Sequence, residues 1–152
     1  MSDRTVPLDE VRAFETATRD LVGLALRSVE QIDLSLPQFR LLQVLVEQGP
    51  SSAIQCAVAL GVVGSTVTRL ADRLHASGHL ERRADPSNRS MVELQVTPAG
   101  RKVVRTVTEH RRRELRAALA HLDPAARAAC SAALRALHDT LDTGDRPRQI
   151  PI

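Results

Sequence analysis

In the middle of the chain the order of apolar and polar positions changes several times and outlines one module. Apolar positions in residues 51–60 and 64–77 recur every three or four residues, which is the spacing of an amphipathic helix. Residues 79–84 are interpreted as a short strand. Residues 91–96 alternate apolar with polar side chains, as a half-buried strand does. The pattern predicts helix, turn, helix, strand, tight turn and strand.

The second of these helices separates two chemically different faces. One face is apolar and suited to burial: Val67, Leu70, Ala71 and Leu74. The other face is small, polar and cationic: Ser65, Thr66, Thr68, Arg69, Asp72 and Arg73. Two short helices joined by a glycine turn, the second with such a face, are typical of a helix-turn-helix that enters the DNA major groove. The hairpin that follows is interpreted as a wing, and it contains Arg82, Arg83 and Arg89.

Long helices are predicted on both sides of the module. Residues 8–32 carry one stripe at spacings of three and four: Val11, Phe14, Thr18, Leu21, Ala25, Ser28 and Ile32. Two more helices are predicted from Pro98 to about His121 and from Pro124 to about Leu141. The apolar positions of the first of these two are Val104, Val107, Leu115, Ala118, Leu119 and Leu122. A small module cannot bury all these faces, so we expect a homodimer with closed twofold symmetry.

Two capping signals mark helix starts before and within the module. Ser35 and Gln38 form a capping-box pattern for a helix that ends at Gly49, and Ser52 and Gln55 repeat the pattern. Gly61 suits the left-handed residue that closes the turn between the two module helices. The expected core positions of this region are Phe39, Leu42, Leu45, Val46, Ile54, Ala57 and Leu60.

The predicted fold class is mainly α (α+β), a winged helix-turn-helix with long flanking helices that form a dimerisation region. We expect one domain over residues 1–152. Its predicted parts are a frayed start (Met1–Pro7), dimerisation helices (8–33 and 98–141), a DNA-binding module (36–96) and a tail (142–152).

Composition narrows the function classes. The net charge is +3 and Lys102 is the only lysine among 21 basic residues, which permits a nucleic-acid partner without requiring one. The sequence lacks an apolar run of about 18 residues and a signal-peptide pattern, so we expect a cytoplasmic protein with no membrane partner. Cys56 and Cys130 form neither a disulfide framework nor a CxxC pair, and no histidine spacing indicates a metal site. No catalytic motif is present, so we expect no enzyme activity and no cofactor.

The module also carries a specific series of motifs. Residues 60–83 read LGVVGSTVTRLADRLHASGHLERR, residues 85–89 read DPSNR and residues 96–100 read VTPAG. This series resembles the MarR family of bacterial transcription regulators. The resemblance implies a homodimeric winged helix-turn-helix protein that binds double-stranded DNA at a palindromic operator, usually as a repressor. It also implies release of DNA by a small phenolic or other lipophilic effector, or by oxidation of a cysteine.

The resemblance assigns roles to individual residues. The expected DNA-binding residues are Ser65, Thr66, Thr68, Arg69, Arg73, Asn88 and Arg89. Thr66, Thr68 and Arg69 are expected to read the major groove, while Ser65 and Arg73 hold phosphates. Arg89 matches a wing-tip arginine that enters the minor groove, and Asn88 is expected to support it. Short hydroxyl side chains let a helix approach base edges, and a guanidinium suits a narrow, electronegative minor groove.

Three residues depart from the pattern of the family. Asn88 replaces an aspartate before the wing arginine, and Ser90 replaces a second arginine. Val63 stands where a serine or similar residue often caps the recognition helix, so either Gly64 is expected to take the place of that cap or the start of the helix is expected to fray.

Two other functions stay open. Winged helices also serve as protein-interaction or ligand-binding modules without an operator. A regulator triggered by thiol oxidation is the second alternative, with Cys130 as its candidate, because Cys56 lies among apolar neighbours and is expected to be inert.

Two further groups of residues keep their ordinary interpretation. Arg111–Arg113 and Arg116 are interpreted as a solvated helix face, because adjacent residues cannot all face one groove. An effector would bind between the dimer helices and the module, but the nearby candidates are equally consistent with core positions: Phe14, Phe39, Arg40 and Leu42.

Overall fold

A computed structural model describes residues 5–144 of the chain. These residues form helices and strands in the order α1 (Leu8–Arg27), α2 (Leu36–Gln48), β1 (Ser51–Ser52), α3 (Ala53–Leu60), α4 (Gly64–Ala76), β2 (Leu80–Ala84), β3 (Val92–Val96), α5 (Pro98–Leu119) and α6 (Pro124–Gly144). The mainly α, winged helix-turn-helix fold class is confirmed. The chain divides into two compact units, one up to Arg112 and one from Arg113 onward.

The predicted capping boxes start two helices of the first unit. The Ser35 amide donates to Gln38 Oε1 at 2.9 Å, and the Gln38 amide donates to Ser35 Oγ at 3.4 Å. At the start of α3, Ser52 and Gln55 repeat both bonds, at 2.8 and 3.3 Å. Gly61 closes α3 with a φ of 65°. Because a side chain is strained there, glycine fixes the sharp turn into α4.

The core of the first unit is centred on α2. Phe39, Leu41 and Leu42 are fully buried, and they belong to one cluster with the inner face of α4 and with Leu80 and Leu94 of the hairpin. Val46 is half-buried, but Ile54 is 72% exposed, so its prediction as core is wrong. Ile54 lies on the opposite side of α3 from Cys56, since two residues turn a helix by about 200°.

The sheet has the strand order β1–β3–β2, and both pairings are antiparallel. Ser51 and Ser52 pair with Leu94 and Glu93, so the prediction that Ser51 belongs to the helix is wrong, while Ser52 is the N-cap of α3 as predicted. Strand pairing fixes these two residues in an extended conformation and moves the helix start to Ala53. Leu94 and Val96 are buried as predicted. The third alternating position, Val92, is 54% exposed because it borders an open cavity.

The first long helix ends five residues earlier than predicted, at Arg27 rather than Ile32. The chain then tightens into turns, in which the Val29 amide donates to Leu26 O and the Ile32 amide to Val29 O. Ser28 and Val29 are buried in these turns, whereas α1 itself contains no buried residue. The predicted apolar stripe of α1 is therefore open in a single chain.

The start of α5 is held against the end of α4. Thr97 Oγ1 donates to the Gly78 carbonyl at 2.7 Å and accepts from the Gly100 amide at 3.2 Å. A Cβ at Gly100 would collide with the His79 carbonyl oxygen and lie 2.7 Å from Val96 Cγ2. Further along α5, Val104 and Val107 are buried as predicted.

The second unit contains the end of α5 and all of α6. α5 ends at Leu119, and Leu119 and Leu122 are exposed rather than buried. α6 begins at Pro124, and the Asp123 carboxylate accepts from the Ala126 amide at 3.0 Å. α6 continues to Gly144, so the predicted tail is wrong for residues 142–144. Residues 145–152 of that tail, and residues 1–4 of the predicted frayed start, lie outside the described residues.

Within residues 5–144, each helix taken alone is too short or too polar to cross a bilayer. The pair α3 and α4 reaches the required apolarity only when joined, and it bends by 109° at the turn.

Candidate nucleic-acid interface

The predicted recognition surface is the exposed face of α4. Burial of Val67, Leu70, Ala71 and Leu74 fixes the rotation of this helix about its axis. That rotation leaves Ser65, Thr68, Arg69 and Arg73 exposed and Thr66 partly exposed. Because Arg69 and Arg73 are four residues apart, they lie one above the other on the same face. The structure thus brings five of the predicted site residues together on one helix.

The hydroxyl of Thr68 is already engaged as a donor. Thr68 Oγ1 donates to the Gly64 carbonyl at 3.2 Å. Since a hydroxyl has one hydrogen and two acceptor lone pairs, its oxygen remains available to accept from an approaching donor.

The first turn of α4 lacks a side-chain cap. Val63 is the N-cap, with extended backbone angles, and its side chain makes no capping hydrogen bond. The first backbone bond of the helix runs from the Thr66 amide to the Val63 carbonyl at 3.0 Å. Val63 itself occupies the cap position and Gly64 is the first helical residue, so the expectation that Gly64 takes the place of the cap is wrong.

The wing turn, residues 85–91, is shaped by Asp85. Its carboxylate accepts from the Ser87 hydroxyl at 2.6 Å and from the Ser87 amide at 2.7 Å. The hydroxyl bond first, and then the backbone bond, lower the pKa of Asp85 below its ordinary value. Because hydrogen bonds to a charged acceptor are strong, these bonds fix the conformation of the turn.

The predicted support of Arg89 by Asn88 takes a different form. Asn88 Oδ1 accepts from the Ser90 hydroxyl at 2.6 Å and from the Ser90 amide at 3.2 Å. Asn88 therefore fixes the backbone on both sides of Arg89 rather than the guanidinium. The hydroxyl of the short Ser90 side chain is the side-chain partner of Asn88. Asn88 and Arg89 lie on the hairpin turn, apart from the five residues on α4.

The three hairpin arginines are not equivalent. Arg82 pairs with Asp72 of α4 at 2.5 Å, and Arg83 pairs with Glu81 at 2.8 Å. Among residues 5–144, Arg89 has no carboxylate partner and its side chain is exposed. Sequence reasoning missed the bond between Asp72 and Arg82, because two charges on different elements leave no periodic signal. Arg89 is consequently the wing cation that is available to an anionic ligand.

A cavity of about 420 Å³ opens between α4 and the hairpin. Its walls are Ala53, Thr68, Ala71, Asp72, Arg82, Val92 and Leu94. The sequence did not reveal this cavity, since its walls come from four separate elements. The four effector candidates chosen from the sequence lie elsewhere: Phe39 and Leu42 are fully buried in the core, Phe14 is half-exposed and Arg40 is exposed.

The sequence indicated that Arg111 belongs to a solvated helix face, and this interpretation is wrong. Arg111 Nε donates to Ser28 Oγ at 2.6 Å, and its guanidinium carbon lies 4.6 Å from the centroid of the Phe39 ring. A terminal nitrogen also donates to the Ala25 carbonyl at 3.3 Å. Burial lowers the pKa of Arg111. This side chain joins α5 to the end of α1 and to α2, while Arg112 and Arg113 are exposed.

The two cysteines have different environments. Cys56 is buried in the core, and burial raises the pKa of its thiol. Cys130 is exposed on α6. The inert character predicted for Cys56 fits this environment, because a buried thiol rarely ionises.

Comparisons with known proteins agree with this geometry. Residues 34–90 match the model of the MarR family. The chain is 30% identical over 99 residues to an uncharacterized HTH-type transcriptional regulator, YpoP, of Bacillus subtilis (strain 168), a match that covers 63% of this chain and 70% of YpoP.

Solved structures are similar to the fold of this protein over most of the chain. RV1404 from Mycobacterium tuberculosis superposes with a TM-score of 0.80 and 34% identity, over 91% of this chain and 97% of that one. BpsR of Bordetella bronchiseptica superposes with a TM-score of 0.66 and 25% identity, over 86% and 98% of the two chains. That structure is described as the mechanism by which 6-hydroxynicotinic acid regulates DNA binding of BpsR.

Proposed function

The chain belongs to the MarR family of transcription regulators, and from this premise we propose that it binds duplex DNA with α4 in the major groove and Arg89 in the minor groove. One observation carries the proposal: α4 presents hydroxyls and two arginines on one exposed face, beside a wing whose tip holds an unpaired arginine. Such a helix fits the major groove, and a wing arginine fits the narrower minor groove.

Individual roles follow from side-chain chemistry. Thr66, Thr68 and Arg69 contact base edges, because they lie in the first half of the recognition helix. Arg73 and Ser65 bind phosphates on either side of them. Asn88 contributes indirectly, through the turn that it shapes with Ser90, so that Arg89 is presented at a fixed place on the wing.

The regulator acts as a homodimer on a palindromic operator. Apolar side chains are exposed along α1, with Phe14 at 50% and Val22 at 50%, and along α6, with Leu134 at 47%. Exposed apolar faces of this length are buried by a second copy under twofold symmetry. On this basis residues 8–33 and 98–141 form the dimerisation region and residues 36–96 the DNA-binding module. Two copies place two recognition helices on the successive half-sites of an inverted repeat in the bacterial cytoplasm.

The protein is a repressor that a small lipophilic or phenolic effector releases from DNA. The regulation of BpsR by 6-hydroxynicotinic acid, a small aromatic hydroxy acid, supports this part of the proposal. The cavity beside α4 supports it as well, since its walls combine four aliphatic residues with Thr68 and the Asp72–Arg82 pair. A ligand there would contact Thr68, one of the residues proposed to read the major groove.

Fluorescence anisotropy with the duplex upstream of the protein's own coding sequence tests the proposal. Binding should exceed that of a scrambled duplex by about a thousandfold or more and should weaken steeply with salt. If the first duplex fails, selection from random duplexes tests the same proposal with any sequence. Absence of binding at low salt in both experiments would contradict a DNA-binding role and favour an interaction module.

A further inference from the structure

The recognition helix begins at an aliphatic residue, although the neighbouring helices begin at polar ones. Ser35, Ser52 and Thr97 start α2, α3 and α5, and the hydroxyl of each accepts a backbone N–H of the first turn. Val63 starts α4 and makes no such bond. Because an aliphatic N-cap is less stable than a serine or threonine, the module lacks a stabilising bond at this one position.

Packing does not explain the valine either. The Val63 side chain is 68% exposed and lies outside the hydrophobic core cluster. An aliphatic group stabilises a fold by leaving water, and most of this one remains in water. The residue therefore serves neither the helix start nor the core. A residue that breaks a local stability rule without compensation is expected at a functional position.

The position of Val63 points to a ligand. It directly precedes the exposed face that carries Ser65, Thr66 and Thr68, and it is continuous with the proposed DNA interface. A Cβ added at Gly64, the residue next to Val63, would have no heavy atom within 4 Å among the described residues outside its own turn, so the helix start is open at this point. N-terminal residues of a recognition helix are the ones that reach base edges.

The apolar chemistry of the side chain selects one feature of DNA. In the major groove the bases present hydrogen-bond donors and acceptors, and the methyl group on C5 of thymine is the apolar exception. We propose that Val63 is a specificity-determining residue that packs against the 5-methyl group of a thymine in each half-site. This inference rests on the proposed DNA-binding function and adds a sequence requirement to it.

The test uses the full-length protein and a duplex obtained by selection from random sequences. Each thymine of one half-site is replaced in turn by deoxyuridine, which removes the methyl group and keeps the base pair. For the wild-type protein we expect one position at which deoxyuridine raises Kd about fourfold, the effect of burying one methyl group. For Val63→Ala the same replacement should leave Kd unchanged.

A second variant separates reading of the methyl group from helix stability. Val63→Ser adds a capping hydroxyl and removes both methyl groups, so Tm should rise while discrimination between thymine and deoxyuridine is lost. A purely structural role of Val63 would change Tm and would shift the affinities for both duplexes equally. Val58→Ala is the matched control, because Val58 is 67% exposed but lies on α3. It should retain the wild-type discrimination.

The outcomes distinguish this inference from the proposed function. Specific binding of the selected duplex with no position that depends on Val63, or with an equal deoxyuridine effect in Val63→Ala, would overturn the thymine contact and leave the DNA-binding function intact. A selected site with no thymine in the half-site would do the same. Failure to select any duplex would overturn both.

Discussion

The guanidinium of Arg82 donates to the carboxylate of Asp72 across 2.5 Å and so joins wing strand β2 to recognition helix α4. Both side chains are partly exposed, at 36% and 58%. Exposed ion pairs contribute little to stability, so the more important consequence of this one is orientation. It sets the wing at a fixed place beside the predicted recognition helix.

Reversing one charge of this pair should weaken DNA binding more than it weakens the fold. For Arg82→Asp we expect the free energy of unfolding to fall by less than about 1 kcal/mol. The Kd for DNA should rise at least fivefold, which corresponds to a loss of about 1 kcal/mol or more of binding free energy. Adding Asp72→Arg restores both the pair and the net charge, and should recover most of the affinity in anisotropy titrations. No recovery in the double variant would show that the pair does not position the wing.

Removing the unpaired wing cation should change the salt dependence of binding. Arg89→Ala is expected to weaken binding and to lower the slope of log K against log salt by about one per subunit, because one counterion-releasing contact is lost. Arg83→Ala removes the same charge. Because Arg83 is already paired with Glu81 at 2.8 Å, this substitution should lower the slope less than Arg89→Ala does. Equal slopes for Arg89→Ala and the wild type would show that the wing tip does not contact DNA.

The close approach at Gly100 predicts a large effect of one methyl group. Gly100→Ala should lower the free energy of unfolding by about 1–3 kcal/mol, because the Cβ collides with the His79 carbonyl, which is backbone and cannot move aside easily. Urea denaturation measures this change. Gly64→Ala is the control: its Cβ has open space, so it should be neutral or stabilising by up to about 1 kcal/mol.

Arg111 should not tolerate replacement by lysine. Arg111→Lys keeps the charge but loses the planar group that stacks on Phe39 and bonds Ser28, so the free energy of unfolding should fall by about 1–2 kcal/mol. Thermal denaturation measures this change. Arg112→Lys, one position along α5 and exposed, should have no measurable effect on Tm in that experiment. Equal Tm values for the two variants would contradict the packing role of Arg111.

The buried thiol should make stability depend on pH in one direction. Burial raises the pKa of Cys56. The folded state then keeps a proton that the unfolded state loses as pH rises above the ordinary thiol pKa, about 8.5. The stability that Cys56 contributes is complete below that pH and is lost as pH rises through the folded pKa. Iodoacetamide at pH 8 should label Cys130 and leave Cys56 unmodified, and mass spectrometry of tryptic peptides separates the two.

Local chemistry explains which parts of the fold could be predicted. The capping boxes at Ser35 and Ser52, and the glycine turn at Gly61, depend on residues at most a few positions apart. The two faces of α4 follow from a period of 3.6 residues with a clear division between aliphatic and polar side chains. In these segments the sequence alone was sufficient because every partner lies within one or two helical turns.

The errors occur where a distant part of the chain competes for the same residues. Ser51 satisfies a helical pattern, but pairing with β3 holds it in an extended conformation. Residues 28–32 continue the stripe of α1, yet the chain turns there, and Ser28 bonds Arg111 from 83 positions away. Asn88 bonds Ser90 rather than the neighbouring arginine, because the turn brings the Ser90 amide to its carboxamide.

For this protein the sequence by itself determined the order of the elements and the side chains that α4 exposes, because helical periodicity and capping act between near neighbours. The family assignment also came from it, since the three motifs that carry it lie close together between residues 60 and 100. Only the tertiary structure decided that Arg82 is held by Asp72 while Arg89 is not, that Arg111 packs on Phe39, and that a cavity lies beside Thr68. Those relationships depend on how separate elements pack, and packing brings together residues whose spacing along the chain carries no signal.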